Sequence, residues 1–310
     1  APRLLGAAVV QLNFWVNTNL ASYYSDGSVT GLTYGFYLML LALSMLAQTI
    51  GIAALPTFST QVALGKLDEM RLSLSAALRF ILLLSIPASL GLILLRFPLI
   101  RFLYERGEVF TRESTQLVAF ALLWYAAGLV GHSLLEVLSR AFYSMHDTRT
   151  PVMVGVGAMI LNILLSIILG GAMINLRVPT TDFNLLQISV KGVFASLGWM
   201  PHGGLALANS LATALEALIL LVLMRKRLNG LQGKHIFSTL WRAVLGVAGM
   251  SGAIVGIQQM GSNWVPVLQL AAGALAGGLV YVLILLLLRV EEGQMLWRLA
   301  RGKVSVLLRR

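Results

Sequence analysis

Ionisable residues inside apolar stretches are the first candidates for chemistry in this sequence. His132, Glu136 and Arg140 are spaced four residues apart, which places them on one face of a helix. Such a row predicts either a proton relay or a local ion-pair ladder. Glu216 stands alone in the middle of another apolar stretch, where a carboxylate is protonated, paired across helices or in contact with a wet cavity.

Polar side chains are concentrated in the first two apolar stretches. Because an amide in hydrocarbon is costly unless it is hydrogen-bonded, the first stretch must face protein or water. Its amides either form interhelical hydrogen bonds or line a polar translocation cavity. Under the second interpretation, the predicted cavity residues are Gln11, Asn13, Asn17, Tyr34, Tyr37, Gln48 and Glu216.

Motifs that mark covalent chemistry are missing from the sequence. It contains no HExxH, Walker A or GxSxG motif, and no aspartate-rich pair that could bind a diphosphate through magnesium. It contains no Cys, which excludes disulfides, thiolate metal sites and Cys nucleophiles. We predict that the protein is not an enzyme and carries no cofactor.

Membrane-spanning helices must position these residues. Hydrophobic residues make up 58% of the 310 residues and charged residues 11%, whereas a soluble domain carries about 25% charged residues. Apolar stretches of about 20 residues can cross a hydrocarbon core about 30 Å thick. The predicted fold is an all-α, polytopic transmembrane helix bundle. Its approximately eight spans are residues 4–24, 31–55, 75–95, 116–139, 152–174, 204–224, 240–260 and 265–288.

The positive charges predict an orientation. The net charge is +11, but the basic residues lie between apolar stretches rather than in a groove with stacking aromatics, so no nucleic-acid partner is predicted. With a cytoplasmic N-terminus, 17 of the 23 Lys and Arg residues fall inside, as the positive-inside rule requires. Both termini are therefore predicted to be cytoplasmic. The remaining six are Arg96, Arg101, Arg106, Arg112, Arg177 and Lys191.

Several stretches resemble one protein family. They are Gln11-Leu12-Asn13 with Asn17-Thr18, the turn Leu55-Pro56-Thr57-Phe58-Ser59, the segment RAFYSMHDTRTPV over residues 140–152, and GGLALANS over residues 203–210. The segment at 140–152 is the most specific. Together they resemble the MurJ (MviN) lipid II flippase family of the multidrug/oligosaccharidyl-lipid/polysaccharide exporter superfamily.

The segment at 140–152 also carries local predictions. Its family motif residues are Arg140, Asp147, Thr148, Arg149, Thr150 and Pro151. Thr150 is expected to cap the next helix, with Pro151 in its first turn. Asp147 is expected to pair with Arg149, and Phe142 and Tyr143 are expected to lie at the membrane interface.

The resemblance implies a domain organisation. Residues 1–228 match the family's second transmembrane lobe of six spans, and residues 229–290 match its two additional C-terminal spans. Residues 291–310 form a basic amphipathic cytoplasmic tail or a frayed, solvated one. The first lobe, which carries several cationic substrate contacts, is absent from this sequence, which fits a fragment, a split gene product or an alternative start. The expected partner is that N-terminal lobe, in cis or in trans, or a second copy of the chain.

Two departures from the family pattern concern its ligands. The family often has an essential Arg where this sequence has Tyr37. Some members bind sodium through two Asp, an Asn and a Thr. The matching positions are Asn17, Ser166, Asn162 and Asn209. Amide and hydroxyl oxygens can bind a hard cation, so these four residues are the candidate Na+ site, although they include no carboxylate.

The resemblance implies a role in peptidoglycan biosynthesis. The protein would move the lipid II headgroup from the cytoplasmic to the outer face of the bacterial inner (plasma) membrane, by alternating access of two lobes. Its partners would be the bilayer and lipid II or a related polyprenyl-diphosphate-linked saccharide. The alternatives are a polysaccharide-repeat or drug exporter of the same superfamily, and a non-transporting membrane scaffold for cell-wall proteins.

Overall fold

The computed structural model describes residues 2–24, 26–105, 110–170 and 200–288, with side chains from residue 11 onward. The described residues are helical and contain no strand. The helices are α1 (Pro2–Ser22), α2 (Ser28–Leu43), α3 (Thr49–Ala63), α4 (Leu67–Leu94), α5 (Arg96–Tyr104), α6 (Arg112–Ser144), α7 (Arg149–Leu169), α8 (Pro201–Arg227), α9 (Gly233–Met260) and α10 (Pro266–Leu287). A π-helical turn over Ser44–Gln48 joins α2 and α3 into one continuous helix.

The predicted all-α, polytopic membrane fold is confirmed. Within the described residues, seven helices are long and apolar enough to cross a membrane, with α2 and α3 together counting as one. The amide-rich α1 is not among these seven, but its 21 residues measure about 32 Å, which matches a hydrocarbon core. The predicted count of about eight spans therefore depends on α1.

Prolines mark fewer helix ends than the sequence suggests. The second span was predicted to end at residue 55, before Pro56, yet the helix continues through Pro56 to Ala63. Pro87 likewise lies inside α4. Membrane helices tolerate internal proline because neighbouring groups satisfy the freed carbonyls. In contrast, Pro201 opens α8, where its missing N–H removes no helical hydrogen bond.

The core is centred on α6, which packs against α2, α4 and α8. Its largest fully buried side chains include Phe58, Phe142 and Met39. A second hydrophobic cluster attaches α9 and α10 to α4, and Tyr281 in α10 donates a hydrogen bond of 2.7 Å to the carbonyl of Leu83 in α4. The two clusters lie mainly on either side of the boundary predicted at residue 228, which stays a prediction.

Some predictions fall outside the described residues. They are the amphipathic tail over residues 291–310, most of the loop between α7 and α8, and the predicted end of the fifth span at residue 174.

Candidate functional site

A cavity of about 1060 Å³, with polar and apolar side chains in its wall, lies between α1, α2, α6, α7 and α8. Five of the seven predicted cavity residues line it: Gln11, Asn13, Asn17, Tyr37 and Glu216. Asn13 and Asn17 of α1 face this cavity, and α1 packs against α7. This arrangement is expected because amides in contact with lipid tails would lack hydrogen-bond partners.

The other two predicted cavity residues, Tyr34 and Gln48, do not line the cavity. Tyr34 stacks on Tyr104 of α5, with their ring centroids 4.7 Å apart, and its edge contacts Phe110. Gln48 is the last residue of the π-helical turn. In a regular α-helix, Tyr37 and Gln48 would lie on the same face. The π-helical turn inserts an extra residue and rotates Gln48 away from that face.

Three of the four predicted cation ligands form one hydrogen-bonded group, here called the amide cluster (Asn13, Asn17, Asn162 and Ser166). The Nδ2 atom of Asn17 donates to Asn13 Oδ1 at 2.6 Å and to Asn162 Oδ1 at 3.1 Å. The hydroxyl of Ser166 donates to Asn17 Oδ1 at 2.9 Å. Asn162 and Ser166 are fully buried in α7. The cluster therefore joins α1 to α7 inside the membrane.

The fourth predicted ligand, Asn209, pairs with a different residue. Its Oδ1 lies 3.1 Å from Nε2 of His132, across the interface between α6 and α8. Within the amide cluster, the Oδ1 atoms of Asn13, Asn17 and Asn162 each accept one hydrogen bond from the protein. Sodium binding at these four positions stays a prediction.

His132, Glu136 and Arg140 do not form one continuous row of contacts. Glu136 and Arg140 form an ion pair, and Arg140 lies against Gly51 of α3, where any larger side chain would collide with it. His132 is bonded to Asn209 of α8 instead of Glu136. This geometry matches the local ion-pair ladder for Glu136 and Arg140, and not a relay through all three residues.

The family motif builds a polar cluster at the loop between α6 and α7, here called the Asp147 cluster (Asp147, Thr150 and Arg227). Asp147 Oδ1 accepts the backbone N–H groups of Arg149 at 3.0 Å and Thr150 at 2.9 Å. Its Oδ2 accepts the Thr150 hydroxyl at 2.6 Å and forms an ion pair with Arg227 at the end of α8. Burial raises the pKa of Asp147, but these hydrogen bonds and Arg227 outweigh it and hold that pKa below its usual range.

Three local predictions for this motif were wrong. The side chain that caps α7 is Asp147, because Thr150 uses its hydroxyl to donate to that carboxylate. Asp147 pairs with Arg227 and not with Arg149, which the chain places on the exposed side of α7. Phe142 is fully buried under the Arg227 guanidinium instead of lying at the interface, while Tyr143 is exposed.

Arg227 is the residue of this site that sequence reasoning missed. The sequence shows three adjacent basic residues, Arg225, Lys226 and Arg227, at the end of α8. A helix turns by about 100° per residue, so only one of the three can face Asp147. The sequence shows the three positive charges, but only the structure shows that Arg227 is the residue that faces Asp147.

A helical membrane bundle around a polar cavity is the architecture of secondary transporters. The family profile described as lipid II flippase MurJ matches residues 1–275. This chain therefore belongs to the MurJ lipid II flippase family.

Similar proteins agree with that assignment. A probable lipid II flippase MurJ of Vibrio cholerae is 34% identical over 167 residues, covering 54% of this chain and 32% of that protein. The lipid II flippase MurJ of Burkholderia cenocepacia is 30% identical over 226 residues, covering 73% and 38%. The inward closed structure of a lipid II flippase MurJ superposes with a TM-score of 0.70 at 25% identity, covering 91% of this chain and 52% of that one. The chain thus spans about a third to a half of the length of these relatives.

Proposed function

We propose that this chain forms the second lobe and the two additional helices of a lipid II flippase in a bacterial inner membrane, with both termini cytoplasmic. The observation that carries the proposal is a cavity of about 1060 Å³ inside the membrane bundle of a chain that matches the family over residues 1–275. Transport would proceed by alternating access without covalent chemistry. A membrane potential that is negative inside favours export of the diphosphate, by ~2.3 kcal/mol per charge per 100 mV.

A second lobe is needed to complete the cavity. Gln11 and Asn19 of α1 and Tyr37 of α2 are exposed on the surface of the chain. An amide that meets lipid tails without a hydrogen-bond partner is destabilising, so this face requires a polar partner or a water-filled space. A six-helix lobe, in cis or as a separate polypeptide, would supply both the cover and the second moving unit; a second copy of the chain is the other candidate.

Reconstitution in liposomes tests this proposal. The probe is a fluorescent lipid II analogue, and translocation is measured as loss of protection from an impermeant reductant. We expect no translocation by the demonstrably monomeric chain, and rapid translocation when the six-helix lobe is present. Transport by the monomer would refute the partner requirement. An inactive but folded two-lobe assembly would refute the function. Replacing Na+ by K+ in the same assay measures sodium coupling.

One observation favours a drug exporter of the same superfamily as the second candidate. Among the described residues, no Lys or Arg lines the cavity, and Tyr37 stands where the family often has an essential Arg. A cavity wall of this kind suits an uncharged or cationic substrate better than a diphosphate. Uptake of ethidium by the same vesicles, without translocation of the lipid II analogue, would support this candidate.

A further inference from the structure

Glu216 is the one acidic residue among the described residues that line the cavity. It lies near the middle of α8, 11 residues before Arg227 and therefore about 16 Å from the basic end of that helix. An arginine side chain at that end is too short to reach it. Glu216 makes no hydrogen bond or ion pair with any described residue, in contrast to Glu136, which is paired with Arg140. Carboxylates at membrane depth are retained where they have a partner or a function.

The packing around Glu216 leaves room for its carboxylate. A Cβ atom added at Gly155 of α7 would lie 3.1 Å from Glu216 Oε1, so the missing side chain at Gly155 makes the space that the carboxylate occupies. Thr213 precedes Glu216 by one turn on the same face and also lines the cavity. The other titratable residues of the wall are His132, Tyr37, Tyr125 and Tyr143, none of which carries a permanent positive charge.

We propose that Glu216 binds a primary ammonium group of the transported headgroup, with Thr213 as a neighbouring acceptor. This inference rests on the proposed function and names a feature of its substrate. An ammonium has three donors, which one carboxylate and a hydroxyl can satisfy. A hard metal cation needs about six oxygens, and the described residues contain no group of three or more His, Cys, Asp or Glu that could hold a metal.

The proposal explains how a cavity wall without cations can belong to a carrier of a diphosphate lipid. The two ends of the headgroup would be divided between the lobes: the partner lobe would supply the positive charges for the diphosphate, and this lobe the negative charge for an amine on the peptide. Electrostatic complementarity of that kind selects the orientation in which a substrate enters a site.

The test compares two probes in liposomes that contain the chain together with its partner lobe. One is a polyprenyl-diphosphate disaccharide–peptide with a free side-chain amine, and the other is the same lipid with that amine acetylated. The native protein is expected to translocate the free amine about tenfold faster at subsaturating concentration, because acetylation removes one partner of a charged pair. Glu216→Gln is expected to abolish this preference by slowing the free amine alone.

Two further variants separate binding from folding. Gly155→Val keeps the charge but displaces the carboxylate, and should reduce the preference as Glu216→Gln does. Glu69→Gln, at an exposed i,i+3 pair with Lys66, should leave the preference unchanged. Equal slowing of both probes by Glu216→Gln would overturn the proposal and indicate a proton site or a pair with the partner lobe. Equal rates for both probes in the native protein would also overturn it. Failure of the native protein to translocate either probe would overturn the proposed function itself, and this inference with it.

Discussion

Removing the Asp147 carboxylate should weaken the junction between α7 and α8 by an amount that the contacts define. Asp147→Ala deletes the acceptor for two backbone N–H groups and one hydroxyl, together with the ion pair to Arg227. Loss of a helix cap costs about 0.5–2 kcal/mol and loss of the ion pair adds less than about 1 kcal/mol, because Arg227 is 40% exposed and solvent screens the pair. The expected loss of unfolding free energy, which combines these two contributions, is about 0.5–3 kcal/mol.

Asp147→Asn separates the cap from the charge. An Asn side chain keeps one oxygen that can accept the N–H groups of Arg149 and Thr150, so this variant should lose only about 1 kcal/mol. Denaturant titration in detergent, followed by tryptophan fluorescence, measures both values. Asp68→Ala is the control, since Asp68 forms a pair with Arg71 while 88% exposed and should change stability by less than about 0.5 kcal/mol.

The same cluster predicts a pH dependence. The folded pKa of Asp147 is below its usual value, so its stabilisation is complete above the unfolded pKa of about 3.9 and is lost as the pH falls through the lower folded value. Asp147→Asn should lack this contribution. Two results would contradict the role of the Asp147 carboxylate: an Asp147→Ala variant no less stable than Asp68→Ala, or equal destabilisation of Asp147→Asn and of the native protein by Arg227→Met.

Three further predictions concern the amide cluster, helix packing and topology. Asn17→Leu should lower the unfolding free energy by about 2–3 kcal/mol in the same titration, because it leaves three hydrogen-bond partners unsatisfied. A loss below about 0.5 kcal/mol would show that the amide cluster does not stabilise the contact between α1 and α7. Gly204→Ala should lower the unfolding free energy by about 1–3 kcal/mol, because its Cβ would collide with the carbonyl of Leu169. Gly157→Ala places its Cβ in open space and should raise the unfolding free energy by about 0.5–1 kcal/mol. Equal effects of the two variants would contradict the close approach of α7 and α8. In this cysteine-free chain, Ser262→Cys should react with an impermeant thiol reagent in intact cells and Asn229→Cys should not, and the reverse pattern would invert the topology.

The membrane fold followed from the sequence because its signal is long and redundant. Uninterrupted apolar stretches separated by turn residues determine both the number and the approximate limits of the helices. The breaks predicted between residues 24 and 31 and between residues 224 and 240 are confirmed, and Gly27, Asn229 and Gly230 have positive φ angles there. Pro56 was misplaced because proline breaks a helix only where nothing else satisfies the freed backbone groups.

The residues that line the cavity could be predicted from the sequence only where the helix is a regular α-helix. Asn13 and Asn17 were placed together because four residues make about one turn, and α1 is regular there. Gln48 was misplaced because no sequence signal announced the π-helical turn before it. The partnership of Asn209 with His132 depends on how α6 and α8 pack, which is a contact between residues far apart in sequence.

The hydrogen bond between Asn17 and Asn162 has a consequence for the synthesis of the protein. These two residues are separated by 145 positions, so at a rate of about 5–20 residues per second the partner of Asn17 is made roughly 7–30 s after it. During that interval Asn13 of the same helix can accept a hydrogen bond from Asn17, whereas Asn162 and Ser166 have not yet been made. Because an amide without a partner is costly in hydrocarbon, the Asn17 oxygen would need another donor, such as water, until Ser166 is made. The stability of α1 in the membrane during synthesis therefore depends on this delay as well as on the hydrophobicity of the helix.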